Sequence, residues 1–221
     1  LIAIDNAYST GATGMCHSQS PLFDNVTIHR LYSPRFVTNA DDSGDGSLRQ
    51  ALTSANASAT TFNSILFSIP GDGPHTINLA SPLPVVTGPV WIDGFSQSGA
   101  EPNQSLFLAS TAVLKIALTG TAAGPGANGI EFVPGSYGVI RGLAIGGFQG
   151  AGIRSQSTGL IVNGCHVGTD AAGTTAVPNG NGIERVSGQT DIGGPATVER
   201  MVIAGNTGDG IRITGARSTG N

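Results

Sequence analysis

The chain has 221 residues, of which 34 are glycine and only 11% are charged, with a formal net charge of -4. A single lysine, Lys115, excludes a basic patch for a nucleic-acid backbone and a Lys/Arg cluster for an anionic membrane surface. Scarce charge also excludes a coiled coil, and 39% hydrophobic residues with so small a net charge argue against a disordered chain.

Residues 1–35 show no clear period. They contain Pro21, Pro34 and a candidate short strand, Val26-Thr27-Ile28, and read as an irregular lead-in or the end of an upstream module. Leu1 begins no basic n-region and no full apolar h-region, so the start does not read as a signal peptide. The last stretch stops in mid-pattern, and the chain reads as a fragment of something longer. Cys16 and Cys165 lie far apart in no C-x-x-C pair, which leaves a long-range disulfide open and points to no metal site. No cofactor is indicated, and no run reaches the ~18 apolar residues of a membrane span.

The segment from Phe36 to Ser58 is more orderly. Asp41, Asp42, Gly44, Asp45 and Gly46 form a turn cluster. Ser47 and Gln50 fit a capping box, and Leu48, Ala51, Leu52 and Ala55 give one apolar stripe. The pattern predicts a helix from about Ser47 to Asn56 and no other. Short strands separated by Gly, Pro and Asn follow, with candidates at Ile65–Ile69, Thr76–Leu79, Val90–Asp93 and Leu114–Leu118.

From about residue 125 the pattern repeats. A Gly-Ile-charge triplet occurs at Gly129-Ile130-Glu131, Gly152-Ile153-Arg154, Gly182-Ile183-Glu184 and Gly210-Ile211-Arg212, at spacings of 23, 30 and 28 residues. Interleaved with it are Val139-Ile140-Arg141-Gly142, Ile161-Val162-Asn163-Gly164 and Val202-Ile203-Ala204-Gly205. Strands this short cannot bury a core alone, but stacked coils can pair their strands and share one column of inward aliphatics. The period therefore predicts an all-β fold, a parallel β-helix over 36–221 with the helix as N-terminal cap, cut off at its C-terminus. Ile130, Ile140, Ile153, Ile183, Ile203 and Ile211 are the expected inward positions.

The motifs resemble those of bacterial right-handed parallel β-helix repeat proteins of the pectin-lyase-like superfamily. "GSLRQAL" is similar to their N-terminal cap motif Cys-Ser-Leu-Arg-Glu-Ala, with Gly46 in place of Cys and Gln50 in place of Glu. "FSIPGDGPHTINLASPLPVVTGPVWIDGFSQSG" resembles their first coils, and "HVGTDAAGTTAVPNGNGI" and "DIGGPATVERMVIAGNTGDGI" resemble their later repeats. Cys165 stands where such proteins usually carry Asn, as Asn206 does. The resemblance implies a secreted or cell-surface bacterial protein and part of a very long chain.

Glycoside hydrolysis needs two carboxylates at ~5–9.5 Å. Asp170 and Asp191 are the best repeat-region candidates, yet both sit in Gly-rich corners where Asp is ordinary turn chemistry. A pectate-lyase-like site needs a basic group beside calcium carboxylates, and Lys115 has no acid near it in sequence; Arg154 or Arg212 would need clustered acids. No catalytic residue is assigned. Glu131, Arg154, Glu184 and Arg212 alternate in sign and would form an outward charge ladder, a candidate binding face. Trp91 is a candidate sugar-stacking ring. His166 has no further metal ligands near it. The resulting expectation is a non-catalytic rigid segment with a lateral face for adhesion or carbohydrate binding, its partner a polysaccharide or cell-surface glycan. The alternative is a polysaccharide lyase or glycoside hydrolase of the same superfamily.

Overall fold

The computed structural model describes residues 33–58, 61–106 and 109–215. The candidate strand at Val26–Ile28 and Cys16 lie outside them. In chain order the elements are β1 (Ser33–Val37), α1 (Leu48–Asn56), β2 (Asn63–Phe67), β3 (His75–Asn78), β4 (Pro89–Asp93), β5 (Ile116–Thr119), β6 (Ile130–Phe132) and β7 (Tyr137–Arg141). They continue with β8 (Leu143–Gly146), β9 (Ala151–Ser155), β10 (Gly159–Asn163), β11 (His166–Val167), β12 (Asn181–Arg185), β13 (Thr190–Ile192), β14 (Val202–Ile203) and β15 (Ile211–Ile213).

The strands form three sheets, every named pair parallel. The first runs β1-β2-β4-β7-β10-β13, the second β3-β5-β8-β11-β14, the third β6-β9-β12-β15. From β4 onward the chain visits first, second and third sheet in fixed rotation. Register places like on like. Ile65, Ile92, Ile140, Val162 and Ile192 align in the first sheet. Ile77, Leu118, Ile145, Val167 and Ile203 align in the second. Ile130, Ile153, Ile183 and Ile211 align in the third. Residues from all three sheets join one buried cluster. Branched aliphatics suit this stacking because their restricted rotamers cost little to fix on a pleated surface.

The expected right-handed parallel β-helix is corrected to this arrangement of three separate sheets and one α-helix. Each ladder of hydrogen bonds stays within its own sheet. At the bends Gly142 (φ +71°), Gly147 (φ +79°) and Gly164 (φ +59°) take left-handed backbone that ends a strand after a few residues. The inward expectation holds for Ile130, Ile140, Ile153 and Ile183, all 1% exposed or less. In the last round Ile203 is half-buried and packs against the core, while Ile211, in register with Ile183, is 46% exposed because β15 has no further described strand beyond it.

The helix α1 forms where the apolar stripe lies, burying Leu48, Ala51, Leu52 and Ala55 against β1 and β2. Ser47 caps it, its Oγ accepting from Gln50 N at 3.2 Å. Gln50 does not complete the capping box. Its side chain donates to Ser54 Oγ at 3.4 Å, while Ser47 N donates to Gly44 O. Arg49 fixes the helix to the β3–β4 connection by donating to Pro82 O (2.6 Å) and Ser81 O (2.9 Å), and it pairs with Asp42 at 2.6 Å.

Candidate functional site

The Gly-Ile-charge triplet resolves into three jobs on the third sheet. Its glycines stack on one another: a Cβ at Gly129 would collide with the carbonyl of Gly152, and one at Gly182 with that of Gly210. Its isoleucines Ile130, Ile153 and Ile183 fill the core, and Ile211 ends the same column half-exposed. Its charged residues face outward in register, Glu131 beside Arg154, Arg154 beside Glu184 and Glu184 beside Arg212. Strand alternation makes the second and third assignments inseparable, since neighbours along a strand point to opposite faces.

The row is a set of ion pairs of decreasing closeness. Arg154 Nη1 lies 2.6 Å from Glu131 Oε1, and Arg154 Nε lies 3.4 Å from Glu184 Oε2. Arg212 Nε lies 3.9 Å from Glu184 Oε1. Asn128 Nδ2 donates to the other Glu131 oxygen at 2.9 Å. Arg154 is thus held from both sides, while Arg212, with its side chain 50% exposed, is held by one long contact. Opposite charges at such cross-strand positions contribute about 0.2–1 kcal/mol each, with solvent lowering the figure at the open end.

The other sequence candidates sit apart from this row. Trp91 lies on the outer side of the first sheet between buried Val90 and Ile92, and the Arg141 guanidinium lies 5.0 Å from its ring centroid. Arg141 in turn makes a two-pronged bond to Asp93, at 2.8 and 2.7 Å. Asp93 also accepts from Phe95 N at 3.0 Å, so this group is closed on itself. Asp170 accepts from the amides of Thr174 (2.9 Å) and Thr175 (3.1 Å), and these bonds hold its carboxyl below the usual range. Asp191 is exposed on β13 beside Gln189. The structure ties the Asp170 carboxylate into its own turn, leaves Asp191 exposed on its strand, and does not pair the two. Lys115 Nζ donates to Asp72 O at 2.8 Å.

Cys165 is buried and its Sγ lies 3.3 Å from Asn163 O. Burial pushes its thiol up to about 12. Among the described residues no group of three or more His, Cys, Asp or Glu could hold a metal ion. One feature was missed from the sequence. Asn179, fully buried, donates to Ile145 O and to Asn206 Oδ1, both at 3.0 Å, and Asn206 donates to Val167 O at 3.2 Å. In the sequence Asn179 precedes Gly180 while Asn206 follows Gly205, so the two share no local pattern, and the bond between them spans 27 residues.

No family model matches the chain, and no solved structure matches it. The chain is 28% identical over 185 residues to the 3-dehydroshikimate dehydratase of Acinetobacter baylyi. The match covers 82% of this chain and 32% of that protein, so the chain spans about a third of the length of the curated relative it matches. This finding corrects three expectations. The resemblance to pectin-lyase-like β-helix repeat proteins gives way to similarity with a dehydratase. The reading as a non-catalytic segment for adhesion or carbohydrate binding gives way because the relative is an enzyme. The alternative of a polysaccharide lyase or glycoside hydrolase gives way because the relative is named for removing water from a small molecule.

Proposed function

We propose that this chain is a strand-built segment of an enzyme that eliminates water from a small hydroxylated carboxylic acid, the class in which 3-dehydroshikimate falls. The observation that carries the reading is the similarity over 82% of the chain, a span that necessarily includes most of the three sheets.

Dehydration takes a proton from one carbon and a hydroxyl from its neighbour. Such a site needs a cation for the substrate carboxylate and a base within reach of the carbon-bound proton. The outward row on the third sheet offers both types side by side. Arg212 has guanidinium donors to spare, and its planar fork matches a carboxylate. Glu184, between Arg154 and Arg212, is the nearest carboxylate to a molecule anchored there. Glu131 and Arg154 hold Glu184 in line rather than contacting the acid themselves.

The test is calorimetric titration of the chain with 3-dehydroshikimate. The reading expects saturable binding that Arg212→Ala weakens at least tenfold and Arg212→Lys restores in part, since an ammonium keeps the charge and loses the fork. Absence of binding by the unsubstituted chain, or binding that Arg212→Ala leaves unchanged, overturns it.

A further inference from the structure

The connection from β11 to β12 folds back over the outer side of the second sheet. Residues 168–177 form a flap in which Val177 N donates to Gly168 O (2.8 Å) and Asp170 N donates to Thr175 O (2.9 Å). Thr169 and Ala176 face one another as an antiparallel bridge. The Asp170 carboxylate closes the tip by accepting from Thr174 N and Thr175 N. The base is fixed, with Gly168 N donating to Ile145 O (2.9 Å) and Gly147 N donating to Val177 O (3.2 Å). By contrast, the amides of Asp170, Gly173, Thr174 and Thr175 all donate to acceptors within the flap.

Beneath the flap lies His166. It points outward from β11, because its neighbour Val167 fills the inward column. It is nonetheless only 2% exposed, and neither ring nitrogen has a hydrogen-bond partner. A Cβ on Gly173 would lie 3.0 Å from the His166 Cε1 and 3.2 Å from its Nδ1, so the flap packs closely on the ring here. The strands on either side present Ala144 from β8 and Val202 from β14 at the same register, and neither carries charge. From the flap, Asp170 is the charged group whose field reaches the ring.

The geometry points to a pH-sensitive latch: the flap is closed over a neutral His166 and opens when the imidazole takes up a proton. A buried imidazolium with no acceptor in bonding geometry is costly, whereas the uncovered ring is solvated. Burial accordingly lowers the tendency of His166 to protonate below its ordinary value of 6.5, with the carbonyls of Asp170 and Ala171 and the Asp170 charge opposing that effect. The sign follows. Well above pH 6.5 the ring is neutral whether covered or not, and the closed flap keeps its full stability. As pH falls through that value the open form binds the proton more readily, and the closed form loses ground until the covered ring itself protonates.

The test follows the His166 ring and the flap amides by NMR from pH 8 to about 4.5, with exchange rates corrected for their intrinsic pH dependence. The ring is expected to titrate with a midpoint below 6.5. In the same window, protection of the Thr174 and Thr175 amides is expected to fall by up to about tenfold per pH unit, the slope of one proton. His166→Phe, which keeps the bulk and removes the proton site, is expected to flatten that response, and Asp170→Asn to leave its midpoint at the imidazole. A ring midpoint at or above 6.5, or an unchanged response in His166→Phe, overturns the latch. The ring titration of the unsubstituted chain decides the matter alone if His166→Phe does not fold.

Discussion

At the scale of single residues, the structure uses glycine in two distinguishable ways. Gly182 stands where any side chain would meet the backbone carbonyl of Gly210, which cannot step aside without breaking the third sheet's stacking. Gly159 has open space around the same position and no left-handed φ. Gly182→Ala is therefore expected to cost about 1–3 kcal/mol, the range for overpacked sites. Gly159→Ala is expected to be neutral or to stabilise by about 0.4–1 kcal/mol through the unfolded chain. Urea midpoints of the two variants check the pair, and equal losses would mean the glycines are not used as described. Cys165 supplies a second residue-scale expectation. With its thiol pushed up to about 12, it is expected to resist alkylation at pH 8 in the folded chain and to react promptly in denaturant. Peptide mass spectrometry of the Cys165 fragment reads this directly, apart from any reaction at Cys16. The triplets were legible at this scale because one spacing carries both the inward isoleucine and the outward charge. The environment of His166 was not, since nothing in "CHVGTD" tells that residues 168–177 fold back over the ring.

At the scale of elements, α1 shows what local pattern can and cannot specify. Its apolar stripe and its Ser47 cap are local, and both were readable. The partner of Gln50 was not, because Ser47 N is already satisfied by Gly44 O within the preceding turn. Ser47→Ala is expected to cost about 0.5–2 kcal/mol, the usual value of an N-cap. Leu52→Ala is expected to cost about 2–5 kcal/mol, since the side chain is 1% exposed and sits between helix and sheet. Thermal unfolding compares them, and a cap variant worse than the core variant would contradict this ranking. Strand boundaries moved for similar reasons. The second strand begins at Asn63 rather than Ile65. Asn63 is polar yet fully buried, its amide donating to Thr61 O at 2.6 Å and its oxygen accepting from Arg35 Nε at 3.1 Å. Apolar periodicity gives no sign of a buried asparagine whose partners lie on both sides of it.

At the scale of the whole molecule, repetition in the sequence revealed that short strands stack. It did not reveal how the ladders are partitioned, because a period of twenty-odd residues is compatible with a continuous wall or with separate sheets parted at glycine bends. The structure shows three separate ladders sharing one core. The candidate site was legible as four alternating charges and not as chemistry. A carboxylate beside a half-exposed guanidinium has no reaction written in it, and the reaction class enters through the similarity to a dehydratase.

The proposed dehydration by this segment runs through the row ending at Glu184 and Arg212. The most direct measurement is consumption of 3-dehydroshikimate by the purified chain, followed by chromatography against a buffer blank, for the unsubstituted chain and for Glu184→Gln. Consumption above the blank is expected, and it is expected to fall by about 100-fold or more in Glu184→Gln, the loss typical of removing a general base. Consumption no faster than the blank, or consumption indifferent to Glu184→Gln, would contradict it.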